Sequence, residues 1–256
     1  MHKHDKKMNY QQEATKTRIK VLEMIYNAQT SHIGSNFSCI DIMTVLFDKI
    51  DLDKDKFVLS AGWKAASLYY FLWRKGIITD NELNSFCQEI DCPNCYEFIS
   101  NGTLVGCKMC NNKRKIQSPF IGLVEPMNRW GLISAGGSMG MGLPFAVGFA
   151  LSKKLKGEEG KIYVLMSDGE MQCGTTWESA LIAAHHKLDN LFVIVDCNDF
   201  QAMGKTDDIL SLGMIWEKFE KFGWFFWNIN GHHFKSIKAV LNHDNSHLPE
   251  DMKHFW

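Results

Sequence analysis

No apolar run in this 256-residue sequence is long enough to cross a bilayer. The opening MHKHDKK is a short basic tail and lacks the apolar stretch of a secretory signal. Together these absences argue against a membrane protein and make the cytoplasm the expected compartment. Net charge is almost absent as well: 28 Lys and Arg against 29 Asp and Glu leave a formal charge of -1, so no electrostatic footprint for nucleic acid is present. There is no internal repeat and no low-complexity segment, and prolines number only 5.

What is present is an alternation of helical and strand patterns, long enough for one large α/β domain or two small ones. From Tyr10 to Gln29 the residues Ile19, Leu22, Ile25 and Tyr26 recur at helical spacing. A polar break, TSHIGSN, precedes a second helix over CIDIMTVLFDKI. DKFVLSAG reads as a strand running into a small-residue turn, and KAASLYYFLWRKG as a helix stopped by Gly76. TDNELNSF reads as a short helix capped by Thr79 or Asp80. The glycine-rich GLISAGGSMGMG opens a long helix, KIYVLM is a strand, TTWESALIAAHHKL a helix and NLFVIVDCN a strand. MIWEKFEKFG is then a helix, WFFWNIN a strand and FKSIKAVL a last helix. Uninterrupted apolar strands between helices predict a mostly parallel sheet covered on both faces.

Two strands end on oxygen-bearing side chains: KIYVLMSDG on Asp168 and LFVIVDCN on Asn198, about thirty residues apart, one strand–helix–strand unit. In an open parallel sheet, ligands bind beyond the carboxyl ends of the strands. A carboxylate and an amide oxygen are too few to cage a divalent ion alone. They suit Mg²⁺, which takes its remaining oxygens from water and phosphates. Gly169 leaves room for a phosphate near the backbone.

This pattern resembles the thiamine-diphosphate signature, and much of the chain is similar to the N-terminal, diphosphate-binding half of transketolases. The resemblance runs through SHIGSNFSCIDIMTVLF, KFVLSAGWKAASLYYFLWRKG, ISAGGSMGMGLPFAVGFAL and SDGEMQCGTTWESALIAAHHKLDNLFVIVDCND, and continues through KFEKFGWFFWNINGHHFKSIKAVL. Roughly residues 91–126 and the last dozen fall outside it. It implies a thiamine-diphosphate-binding α/β fold over residues 1–256, with 91–126 as an insert. It also implies two-carbon ketol transfer from a ketose to an aldose, the cofactor acting as electron sink.

Carried over by position, the resemblance makes Asp168, Asn198 and the carbonyl of Phe200 the ligands of a magnesium (or calcium) ion, with Gly169 at the diphosphate. Gly137, Ser138 and Met139 fall on the loop that touches the aminopyrimidine, and Glu170 joins the cofactor-binding set. His32 matches a family histidine facing substrate and cofactor, whereas Trp63 stands where a second histidine is expected. An indole donates a hydrogen bond but never transfers a proton. Cys107 stands where a third histidine is expected, and Cys173 replaces one of a glutamate pair. Glu178 aligns with an interface glutamate, and a solvated helix acid is the equal alternative.

The stretch CPNCYEFISNGTLVGCKMC carries two C-x-x-C pairs, Cys92/Cys95 and Cys107/Cys110. In a reducing compartment four thiolates at this spacing close a tetrahedron around Zn²⁺, with a redox pair as the alternative. The family's pyrimidine-binding domain is expected on a separate C-terminal subunit, giving a heterotetramer with self-association, and the expected substrate is a sugar or sugar phosphate. Three competing readings stay open. One is another thiamine-diphosphate enzyme, with a 2-oxo acid or specialised sugar; another is a catalytically silent zinc-bearing scaffold. The third and weakest is a nicotinamide-binding protein, because GGSMGMG lacks the required spacing after a strand.

Overall fold

The computed structural model describes residues 8–91, 109, 115–124 and 138–242. At its centre are three parallel strands, β1 (Lys56–Leu59), β4 (Ile162–Ser167) and β5 (Leu191–Asp196), in the order β1-β4-β5. β4 is the middle strand and every one of its residues is buried. Its side chains alternate between two hydrophobic clusters. Tyr163 and Leu165 join Phe57 and Leu59 beneath α1 (Tyr10–Ala28), α2 (Ile33–Lys49) and α3 (Ala65–Arg74). Ile162, Val164 and Met166 join Val58 beneath α5 (Gly142–Lys156) and α6 (Gly174–His185). Two-sided burial is why these strands read as unbroken apolar runs, and the parallel α/β sheet follows the expectation.

Local signals hold at most element ends. Thr79 caps α4 (Asp80–Asn84) in a full capping box with Glu82. Gly76, with φ 71°, follows α3, and Gly157, in the left-handed region, ends α5.

Three expectations are corrected. The α1 stripe is mostly not its core face: Ile19, Leu22 and Tyr26 are 56%, 45% and 71% exposed, and of its four residues only Ile25 is buried, together with Ala14, Thr17, Val21 and Met24. α2 begins at Ile33, taking in much of the expected polar break, because the Ser35 hydroxyl and the Asn36 side chain both bond the His32 carbonyl and close the first turn. No strand forms over 224–230. That segment is anchored by side chains: the Trp224 indole donates to the Ala180 carbonyl at 2.8 Å and packs edge-on to Phe219.

The cysteine-rich stretch leaves and rejoins the fold through an antiparallel ribbon. β2 (Glu89–Asp91) pairs with β3 (Lys115–Gln117), Asp91 opposite Lys115. Cys92, Cys95, Cys107 and Cys110 lie outside the described residues, as does Gly137.

Candidate functional site at the strand ends

Parallel pairing of β4 with β5 sets Ser167 opposite Asp196, so the two strands end level and Asp168 and Asn198 lie just beyond. A one-turn 3₁₀ helix, Asp168–Gln172, follows β4 immediately, and α6 starts only at Gly174. After β5 the chain forms a tight hairpin of β6 (Phe200–Gln201) and β7 (Gly204–Lys205), leading into α7 (Thr206–Leu210). This hairpin folds back over Asp168.

Asp168 is 3% exposed. Its Oδ1 accepts from Gly169 N at 2.8 Å, and its Oδ2 from Asp199 N at 3.1 Å and the Thr206 hydroxyl at 3.0 Å. None of these partners is a cation. Burial therefore pushes the Asp168 carboxyl above its ordinary range, against the lowering effect of the three donors. Asn198 presents Oδ1 to Phe200 N at 3.0 Å, which fixes the orientation of its amide.

A second group covers Gly169. A β-carbon there would lie 3.0 Å from Gln201 Nε2 and 3.3 Å from the Met139 methyl, so the absent side chain is what lets these three residues meet. Gln201 Nε2 is buried with no hydrogen-bond partner among the described residues. A desolvated carboxylate among neutral donors and an amide donor without an acceptor thus meet at one place. A divalent cation carrying a diphosphate answers both, so the residues present fit the group that the sequence pattern implies.

Glu170 does different work from that expected. It is 0% exposed, and its oxygens accept from the Ser60 hydroxyl, from Gly140 N at 3.0 Å and from Ser167 N at 2.9 Å. Burial raises its carboxyl above the usual range, opposed by those donors and by Lys64. It binds the loop of Ser138 and Met139 to the end of β4 through protein groups.

His32 and Trp63 meet at a third point. His32, exposed and left-handed at φ 75°, gives its carbonyl to Asn36 Nδ2 at 2.8 Å, and the same nitrogen reaches the Trp63 carbonyl at 3.2 Å. Asn36 is 1% exposed, and its Oδ1 accepts from Ser67 N. Glu178 is exposed on α6.

Sequence reasoning gave no role to Asn36, Ser38, Lys64, Asp196, Gln201 or Thr206. Asp196 had a visible signal, an acid closing an apolar strand. Lys64 had another, a cation set among small and apolar residues. Gln201 and Thr206 had none, because only the hairpin brings them over Asp168.

The sequence matches the family described as "Transketolase, thiamine diphosphate binding domain" over residues 107–249, including the latter part of the stretch expected to lie outside it. It is similar to two proteins each named as one subunit of an apulose-4-phosphate transketolase. That of Phocaeicola vulgatus is 29% identical over 88% of this chain and 73% of its own length. That of Actinobacillus succinogenes is 31% identical over 90% and 78%. The structure of the transketolase from Campylobacter jejuni superposes with a TM-score of 0.76 at 27% identity, over 93% of this chain. This chain spans only 36% of that protein.

Proposed function

Because this chain belongs to the transketolase family through its thiamine diphosphate binding domain, we propose that it is the diphosphate-binding half of a two-subunit enzyme. The enzyme moves a two-carbon ketol unit from a ketose to an aldose. The observation that carries this reading is that Asp168, a buried acid among neutral donors, adjoins Gly169, and Gly169 is covered by Gln201 Nε2, a buried donor without an acceptor among the described residues. Asp168, Asn198 Oδ1 and the Phe200 carbonyl hold the magnesium (or calcium) ion. Gly169 and Gln201 take the diphosphate, and Gly137, Ser138 and Met139 border the aminopyrimidine.

Bound thiamine diphosphate supplies the electron sink for breaking a carbon–carbon bond beside a carbonyl. The chain's own residues bind and orient. His32 holds or moves a proton at a substrate hydroxyl oxygen, and Trp63 offers that side of the site one fixed donor and an aromatic face. Asn36 keeps the two at a set separation through their carbonyls.

The relatives' names, each denoting one subunit of a transketolase, support a separate partner subunit. That the partner carries the pyrimidine-binding domain and completes a heterotetramer is part of the proposal. The cysteine-rich stretch, entered through the β2–β3 ribbon, is proposed as a zinc knuckle set into a single diphosphate-binding domain. Among the described residues no helix is long and apolar enough to cross a membrane, and a cytoplasmic location is part of the proposal. The substrate is read as a specialised sugar phosphate, a second reading favoured by Trp63 standing beside His32 and by the relatives' names.

The test is thermal unfolding with thiamine diphosphate and Mg²⁺, for wild type and Asp168→Asn, with the partner subunit present or absent. Ligand at ~100 times its dissociation constant stabilises by roughly 2.7 kcal/mol. A shift that requires Mg²⁺ and disappears in the variant is expected. No shift in any combination would leave the zinc-bearing scaffold as the better reading.

A further inference from the structure

Lys64 is a lysine with no exposed surface, an expensive place for an ammonium unless every proton has an acceptor. It has three: Asp196 Oδ2 at 2.5 Å, the Ser35 carbonyl at 2.8 Å and Ser38 Oγ at 3.2 Å. Asp196 Oδ2 also takes the Ser38 hydroxyl at 2.5 Å, and Asn198 Nδ2 lies 3.4 Å from Ser38 Oγ. Four residues from β5, α2 and the turn before α3 therefore form one connected chain ending on Asn198.

The direction of this chain is set by its lysine. An ammonium only donates, so Ser38 Oγ must accept from Lys64. The single Ser38 proton then goes to Asp196 Oδ2, or to the Ser35 carbonyl at 3.0 Å, and both of those acceptors are themselves held by Lys64. Only a lone pair of Ser38 is left to face Asn198, and it selects the amide nitrogen. The other end of the same amide agrees, since Phe200 N donates to Oδ1. Swapping the two ends would set a donor against a donor at Phe200.

We propose that Lys64 is a positioning residue for the metal site: through Asp196 and Ser38 it fixes the Asn198 carboxamide with Oδ1 on the cation side. This deepens the proposed function and rests on that reading of Asn198. Lys64 touches neither substrate nor cofactor.

The experiment is titration of the full-length chain, in complex with its partner subunit, with Mn²⁺, read by electron paramagnetic resonance in saturating thiamine diphosphate against a protein-free blank of the same cofactor concentration. Ser38→Ala breaks the relay and leaves the Lys64–Asp196 pair, but it takes one of three acceptors from the buried ammonium. Metal-free stability should therefore fall, and Mn²⁺ affinity is read well below the melting temperature, where the variant is folded. The expected result is Mn²⁺ affinity weakened about tenfold or more, the usual scale for losing a group that orients a metal ligand. Lys64→Met should weaken it likewise, and Ser38→Thr, which restores the hydroxyl, should recover wild-type affinity. If Ser38→Ala binds Mn²⁺ within about twofold of wild type, the relay is wrong, whatever Lys64→Met does. Should Lys64→Met fail to fold, the Ser38 pair of variants decides alone. A wild-type chain that binds no Mn²⁺ overturns the metal site itself, and this inference with it.

Discussion

Gly142 packs against Ser60 so closely that a β-carbon on it would lie 2.2 Å from that of the serine. Gly142 N also donates to the Ser60 hydroxyl at 3.1 Å, and that hydroxyl is bonded in turn to Glu170. The end of β1, the start of α5 and the turn after β4 are thus joined at one point. Gly142→Ala should cost about 1–3 kcal/mol of stability, as overpacking of a tight contact does. Pairing it with Ser60→Gly should recover only part of the loss, because the Ser60 Cα would still lie 2.6 Å away. Urea unfolding of the single and double variants measures both.

Gln201 should give effects of opposite sign in the free and liganded protein. Its Nε2 is buried without a partner among the described residues, and such a group costs about 1–3 kcal/mol. Gln201→Met, of similar length, should therefore raise the ligand-free melting temperature and weaken thiamine diphosphate binding. Calorimetric melting and a binding titration on the same preparation check the two halves. A variant less stable when free would mean that the amide has a protein partner.

Asp41 should make stability fall in acid. Its carboxylate takes two bonds from Arg18, each 2.8 Å, and a third at 2.8 Å from His232 Nδ1. Burial opposes ionisation, but Arg18 and His232 together hold the group below its ordinary value. The unfolded chain then takes up a proton more readily than the folded one. The contribution is complete above the ordinary carboxylate value of about 3.9 and is lost as pH falls through the lower folded value. Asp41→Asn should lower stability at neutral pH by about 1.5–3 kcal/mol, the worth of charged hydrogen bonds. It should also flatten the acid limb of a stability–pH curve.

If the proposed zinc knuckle holds, metal analysis of the purified chain should return zinc at about one ion per chain, lost in Cys107→Ser. Because β2 and β3 pair at the root of that stretch, chelation should disturb the insert more than the central sheet. Circular dichroism retained after zinc removal, with the Lys115–Asp91 contact region newly open to proteolysis, is the expected outcome.

Elements with local signals were legible in the amino-acid order. Unbroken apolar runs made β4 and β5 neighbouring parallel strands, Thr79 started α4, and glycines ended α3 and α5. Because ligands gather beyond the carboxyl ends of a parallel sheet, the placement of Asp168 and Asn198 beyond the same sheet edge was also legible, while the level ending of β4 and β5 was set by their register. Folding in three dimensions settled the rest: which groups are covered, and which polar atoms find one another. Ile19, Leu22 and Tyr26 repeat at helical spacing yet face outward, since periodicity says that a stripe exists and not which face another element covers. WFFWNIN has the composition of a strand, but Trp224 ties it to α6 and it joins no ladder among the described residues. Glu170 sits two residues after Asp168, the acid proposed for the metal site, and its partners turn it toward the protein. Lys64 meets Asp196 across 132 residues and Ser38 meets it across 158, separations over which no local propensity acts.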